Sequence, residues 1–480
     1  MEKSLVCYRN PLFFVRMNDE VIEARRRALT FVQVYILITK DLSLHILKEK
    51  ILIISPQPFF QWRGSPIRVA FNAMALAELG YEVDLLTLPI GDEKEIKGVR
   101  VIRVANPFRW QNIPIGPSLA KLFFDVLILF KGIRLCLTNH YDVIHGIEEA
   151  GFIGVILGKL IRTRVIFEKH SDPFSYKKGV LKNLFLRMYA GVEKITVHMA
   201  DAVICTCPGL VRQVEAMGST TRAFHIFDVP SSLVEFENDK VAAVRKKLQK
   251  SPEDVVITFV GSFAVYQGVE LMFAAIPKVL EYCPQAQFVI IGGSKEEIET
   301  QSEKFSELGL AQRVSFLGKI APDSLPNYLR ASDILLSPRA SGVNSPLKIL
   351  DYMKAGRAIV ATDIPSNRLV LSDENAMLMH PAPTDFARGI SILVEDLEKR
   401  EAMGAVNYEL YTGKYNFSHY RELMASCYSS ILQKEYQFKI CKCVKSSGRA
   451  FRHALLLLVI ELKLESEFSP IQLFSGALMC

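Results

Sequence analysis

Between Ser337 and Thr362 the chain reads SPRASGVNSPLKILDYMKAGRAIVAT. An apolar run ends at Ser337, a loop containing Gly342 follows, and helical spacing begins near Pro346. Ser345 suits the residue before a helix and Pro346 its first position. Lys348 then falls in the first turn, where the helix N-terminus already carries partial positive charge. A bound anion reverses the sign of that placement. Backbone N–H groups from Asn344 to Leu347, with Ser345 and the side chains of Lys348 and Arg339, supply the donors of a phosphate site. Asp351 lies three residues beyond Lys348 on the same helical face. It either accepts hydrogen bonds from ribose hydroxyls beside the phosphates or makes a solvated pair with Lys348 on an ordinary helix.

A second candidate is VGSFAVYQGVEL, Val260–Leu271. A strand ends at Gly261 and a helix starts after Gly268. Such a loop lies where doubly wound sheets bind ligands, so Gly261, Tyr266 and Gln267 are candidate ligand contacts. A plain turn is the alternative. In the first half of the chain, Arg63-Gly64-Ser65-Pro66 follows a strand, and Gly64 permits close backbone approach. The spacing is not G-x-G-x-x-G, so a dinucleotide fingerprint is absent. Gly64 and Ser65 are candidate ligand contacts. Phe59, Phe60 and Trp62 either stack on a ligand or form a lip of the core, and the second reading is favoured. Glu148 and Glu149 follow another strand end, as ligand contacts or as a solvated loop. His170 comes directly after the strand Arg164–Glu168, in EKHSD. Taken alone, a single histidine is more often structural.

The elements that carry these residues alternate. Apolar runs at Ile51–Ser55, Glu82–Leu88, Val99–Val104, Val143–His145, Arg164–Glu168 and Ala202–Cys205 read as buried parallel strands with helices between them. A polar stretch from Ser231 to Asp254 marks a junction. A second series follows at Val255–Val260, Gln287–Ile291, Val314–Leu317, Ile334–Ser337, Ala358–Ala361 and Ala376–Met379. The expected organisation is a leader over 1–48, a first Rossmann-like domain over 49–230 and a second over 231–415. A returning helix over 416–436 and a tail over 437–480 complete it.

Composition narrows the function. The chain has 480 residues, 50% of them apolar and 23% charged, which excludes a disordered or fibrous protein. The longest uncharged run, Val255–Val269, is too short and too polar to cross a bilayer. A net charge of +7 is compatible with anionic partners, but no Lys/Arg block points to nucleic acid. Nine scattered cysteines, with Cys205/Cys207 and Cys441/Cys443 as isolated C-x-C pairs, give no zinc pattern. Reduced thiols and the lack of a signal-peptide pattern point to the cytoplasm.

The segment ending Ala355-Gly356-Arg357-Ala358-Ile359-Val360-Ala361-Thr362 resembles the donor-binding signature of glycosyltransferase family 4, the group 1 glycosyltransferases of GT-B fold. In that family two glutamates separated by seven residues precede A-G-x-P-V-V-A-T. Here the second acidic position is Asp351 and the first falls on Val343. Gly292-Gly293-Ser294, Val314–Lys319 and Tyr328–Asp333 resemble further family segments in the same order. Family members often hold the diphosphate with an Arg and a Lys in the first loop. Ser262 or Phe263 and Gln267 stand there instead, leaving Lys348 and Arg339 to supply the charge.

The resemblance implies an α/β GT-B fold, with two doubly wound Rossmann-like domains facing one another across a cleft. It implies sugar transfer from a nucleotide diphosphate-sugar to a glycan, lipid or small-molecule acceptor, with retention and without metal or other cofactor. His170 matches a family histidine and becomes the catalytic candidate, and the first domain, through Gly64, Ser65, Glu148 and Glu149, takes the acceptor side. Val343 and the missing charges near Tyr266 favour one rival, a non-catalytic subunit that binds a nucleotide sugar or partner, and a nucleotide-sugar epimerase-like enzyme of the same fold is a third reading. Basic, apolar helices at Ala120–Leu137 and Tyr176–Arg187 add an expectation of peripheral contact with an anionic membrane.

Overall fold

Runs such as ILIIS, VVITFV and AQFVII have side chains buried on both faces, which is the condition of a parallel strand covered by helices on each side. The computed structural model describes residues 49–111, 113, 119–172, 180–342 and 346–446, with the backbone alone for 119, 180–186 and 433–446. Leader, tail and the Val343–Ser345 segment lie outside the described residues.

The first series is β1 (Lys50–Ser55), α1 (Gly64–Glu78), β2 (Glu82–Thr87), β3 (Val99–Arg103) and α2 (Leu119–Thr138). It continues through β4 (Val143–Ile147), α3 (Ala150–Ile161), β5 (Arg164–Lys169) and α4 (Val180–Met199). β6 (Ala202–Cys205), α5 (Pro208–Ala216) and β7 (Arg222–His225) end it. After α6 (Asn238–Leu248), the second series is β8 (Val255–Val260), α7 (Val269–Tyr282), β9 (Ala286–Ile291), α8 (Lys295–Glu307) and β10 (Val314–Gly318). Then come α9 (Leu325–Ala331), β11 (Ile334–Ser337), α10 (Leu347–Ala355), β12 (Ala358–Thr362) and β13 (Met377–Met379). The helices α11 (Pro383–Glu395), α12 (Leu397–Gly413) and α13 (Phe417–Ser446) close the described chain.

Among the described residues the first sheet has the order β3-β2-β1-β4-β5-β6-β7 and the second β10-β9-β8-β11-β12-β13. All neighbours are parallel, with Ile51 opposite Val143 and Ile334 opposite Ile257 across the two points where strand order reverses. Doubly wound sheets bind ligands outside the carboxyl ends of strands at those points. β1 and β4 deliver Gly64 and Glu148 to one such point. β8 and β11 deliver Gly261 and Arg339 to the other.

α13 leaves the second series and packs on the first. Tyr420, Met424, Cys427 and Tyr428 are fully buried in one cluster with Ile51, Val69 and Ala73. The Tyr420 hydroxyl donates to Asn72 Oδ1. The Tyr428 hydroxyl pairs with His145 Nδ1 at 2.9 Å.

The structure adds two elements and corrects one helix boundary. The polar stretch after Ser231 holds a helix, α6, whose apolar stripe is only Val241, Val244 and Leu248 on an otherwise charged surface. α10 starts at Leu347 with Pro346 in extended conformation at the cap position, one residue later than the Ser345 cap requires. The edge strand β7 was not expected, because its RAFH sequence is only half-buried and lacks an apolar run.

Met424 is fully buried between α13 and the first sheet. Met424→Ala is expected to lower unfolding stability by about 2–5 kcal/mol, read from urea denaturation. A loss under about 0.5 kcal/mol, the range of neutral surface substitutions, would show that this contact does not hold the helix in place.

Candidate active site

The β8–α7 and β11–α10 loops are locked together. Gly268 has φ +70°, and a Cβ there would meet the Pro338 carbonyl oxygen at 1.8 Å. Ala340 N–H donates to the Tyr266 carbonyl at 3.0 Å. Only glycine serves at position 268, because both the backbone angle and the close approach exclude a side chain.

This arrangement brings Gly261, Gln267 and Lys348 together. Lys348 Nζ donates to Gln267 Oε1 at 2.8 Å and lies 4.2 Å from the centre of the Phe259 ring. A Cβ on Gly261 would sit 2.8 Å from the same ammonium. Arg339 lies 5.8 Å over the Tyr266 ring, and its Nε donates to the Ser341 carbonyl at 2.8 Å. Among the described residues, no carboxylate pairs with either cation. Burial and the neighbouring Arg339 push the Lys348 ammonium down to about 7. Burial also lowers Arg339. A cation withdrawn from water without a counter-charge is costly. An anion bound here removes that cost.

Asp351 has a different partner from either expected one. Its Oδ1 accepts from Ser231 N at 2.7 Å and its Oδ2 from Ser231 Oγ at 2.8 Å. Burial pushes it up to about 6 against those bonds. Lys354, one turn on, donates to the carbonyls of Ser232 at 3.1 Å and Val234 at 2.8 Å. Together they pin the segment joining the two series onto α10. A ribose would have to displace Ser231 to reach Asp351. The candidates Asn344 and Ser345 lie outside the described residues.

The facing site is built on the first sheet. A Cβ on Gly64 would lie 3.9 Å from Leu347 Cδ1, so the starts of α1 and α10 approach one another. Ser65 Oγ is 3.3 Å from His170 Nδ1. His170 Nε2 is 3.0 Å from Glu168 Oε1, and its backbone N–H donates to Glu148 Oε1 at 2.9 Å. Burial opposes charge on His170, but Glu168 outweighs it and the ring is raised. Glu148 holds φ +52° and also accepts from Ser171 Oγ at 3.2 Å. Burial pushes its carboxyl up to about 7. Glu149 points elsewhere, to Lys121 of α2, which also lies 3.6 Å from Asp125. Phe59 and Phe60 are buried, while Trp62 is exposed beside them.

Glu168 is the residue that the sequence reading passed over. It ends a strand and is fully buried, between His145, His170, Arg68 and Asn72. A carboxylate two residues before the histidine, on the same face of a strand, was the available signal.

Comparison with known proteins now adds to this geometry. Residues 63–227 match the model described as glycosyl transferase 4-like domain, and residues 254–396 match glycosyl transferases group 1. Together these matches take in more than half of the chain. The chain belongs to the group 1 glycosyltransferases. It is 28% identical to a phosphatidyl-myo-inositol mannosyltransferase of Mycolicibacterium smegmatis, over 71% of this chain and 83% of that one. A solved sucrose-phosphate synthase from Thermosynechococcus elongatus has a TM-score of 0.63 at 22% identity, covering 80% of this chain and 99% of that one. HepE of Anabaena, solved in complex with UDP-glucose, has a TM-score of 0.60 at 16% identity, covering 79% and 99%. The GT-B architecture expected from the sequence is therefore the architecture of this glycosyltransferase.

The Lys348 result has a direct check. The site carries two positive charges below pH about 7, and loses one as the pH rises through that value. Side-chain NMR of Lys348 should give a midpoint near 7, and Arg339→Ala should raise it by removing a like charge. A midpoint that stays in the ordinary lysine range, above about 10, would contradict the buried, unpaired site.

Proposed function

We propose that this glycosyltransferase moves a sugar from a nucleotide diphosphate-sugar to a glycan or lipid-linked acceptor, with retention and without a metal. The observation that carries this reading is the pair Lys348 and Arg339, cations at a strand-order reversal with no described carboxylate partner. In this reading the diphosphate lies on them, at the start of α10. As the sugar–phosphate bond breaks, negative charge grows on the departing diphosphate. Fixed cations in a site of low polarity stabilise that charge without reorganising. His170 lies across the approach of α1 to α10 and contacts the reacting sugar. Gly64, Ser65 and Glu148 face the acceptor. Asp351 holds the linker on α10 and so positions Lys348 beside it. The UDP-glucose complex of HepE supports a nucleotide-sugar donor.

A second reading is a subunit that binds a nucleotide sugar without turnover. Gln267, where the family often has a lysine, already engages the Lys348 ammonium and favours this alternative. A panel of nucleotide sugars followed by mass spectrometry separates the readings. Transfer or hydrolysis supports the enzyme proposed, binding alone supports the subunit, and an isomerised donor supports an epimerase-like reaction. Lys348→Ala should weaken UDP binding roughly 10-fold or more, the loss of one charged hydrogen bond. Unchanged UDP affinity would remove the phosphate site.

The acceptor side of the proposal includes a membrane surface. Among the described residues no helix is long and apolar enough to cross a membrane. α2 divides its residues: Phe124 and Ile128 are buried, whereas Leu122, Phe130 and Leu137 are exposed beside Arg134. The other basic segment, Tyr176–Arg187, falls almost wholly outside the residues whose side chains are described. An exposed apolar row with adjacent cations suits the interface of an anionic bilayer. The phosphatidyl-myo-inositol mannosyltransferase relative, by its name, acts on a lipid. Sedimentation with vesicles containing phosphatidylserine should exceed that with phosphatidylcholine alone. Leu122→Ser with Phe130→Ser should reduce it severalfold, and equal sedimentation of all four combinations would overturn the membrane reading.

A further inference from the structure

We propose that Glu168 is the positioning residue that fixes both the orientation and the charge of His170. The Glu168 carboxylate is fully buried at the end of β5. Oε1 accepts from Arg68 Nε and lies 3.0 Å from His170 Nε2. Oε2 accepts from Asn72 Nδ2 at 2.6 Å and lies 2.9 Å from His145 Nε2. Three hydrogen-bond partners and a close imidazole thus surround the carboxylate.

The charge count makes the histidine part of the set. Arg68 is shared between two carboxylates, since its Nη1 also pairs with Asp228 at 2.8 Å. Its remaining donors go to the carbonyls of Ile226 at 2.8 Å and Phe227 at 3.2 Å. One guanidinium cannot balance two acids, and a protonated His170 supplies the second positive charge. Among the described residues the charged neighbours of His170 include Glu168 of β5, Arg68 of α1 and Glu148 of the β4–α3 loop. Behind them His145 of β4 meets Tyr428, while Lys169 of β5 is paired with Glu193 of α4. Glu168 and Glu148 raise the ring, while burial and Arg68 lower it. The two carboxylates prevail.

The geometry then settles which nitrogen works. Nε2 is held by Glu168, so Nδ1 is the one turned to Ser65 at the start of α1. In the protonated ring Nδ1 carries a hydrogen directed at Ser65 Oγ, and an oxygen of the sugar or leaving phosphate takes this cationic donor by displacing Ser65. The same carboxylate is tied through Asn72 to Tyr420 and lies beside His145, the partner of Tyr428. α13 therefore braces the group that orients His170. This inference rests on the transferase reading in giving His170 a reacting partner, but its physical content is independent of turnover.

The test is histidine side-chain NMR on the full chain, with the His170 signal assigned by its loss in His170→Gln. In the unaltered protein the ring should titrate above the ordinary histidine value of about 6.5. In Glu168→Gln the midpoint should fall by roughly 1–3 pH units, the usual effect of removing an opposite charge at contact distance. The alkaline limb of the pH–rate profile for transfer should move by the same amount. A residue that only holds the fold would lower activity and leave that limb in place, which overturns the proposal. If Glu168→Gln does not fold, the unaltered protein alone decides: a ring titrating at or below about 6.5 overturns it. Absence of transfer with every donor would sink the transferase reading, while the ring titration would still decide the role of Glu168.

Discussion

A carboxylate removed from water must be surrounded by donors, and the first domain is organised around one such carboxylate. Glu168 draws Arg68 and Asn72 from α1, His145 from β4 and His170 from the strand end into one buried network. Asn72 in turn accepts from Tyr420, and His145 meets Tyr428, so α13 is bound by polar bonds as well as by apolar packing. Breaking one member would leave the others charged or unpaired in a dry interior. That mutual dependence fixes the returning helix, the start of α1 and the histidine at the end of β5 relative to one another.

The second domain has the opposite electrostatic character. Lys348 and Arg339 stand beside an amide, two aromatic rings and backbone carbonyls, without a described carboxylate. The acids that are near, Asp351 and Glu235, serve the linker and Lys354 instead. A carboxylate ringed by basic and amide groups on one side and cations without a described acidic partner on the other distinguish the starts of α1 and α10. In the function proposed, one side orients a reacting group and the other receives an anion.

Much of this was legible in the sequence because parallel strands buried on both faces leave uninterrupted apolar runs. Ile51–Ser55, Val255–Val260 and Ile334–Ser337 stand out for that reason, and chemistry at their ends could be located from them. Lys348, Gln267 and Arg339 were found through their loops, and the structure brings them together. α6 was hidden by its charge, since only a narrow stripe of it is buried. The partner of Asp351 could not be read, because Ser231 is 120 residues away and nothing local marks it. Glu168 reads from the sequence as part of a strand, and its contacts follow only from side chains on α1 and β4 that folding brings to it.

The account turns on a diphosphate being held by cations that the protein itself leaves without acidic partners. A crystal structure with a bound nucleotide diphosphate-sugar tests this most directly. The account predicts diphosphate oxygens within about 3 Å of Lys348 Nζ, with that ammonium turned from Gln267 toward the phosphates and the sugar lying toward His170. A diphosphate seated elsewhere in the cleft, with Lys348 still on Gln267, would contradict it.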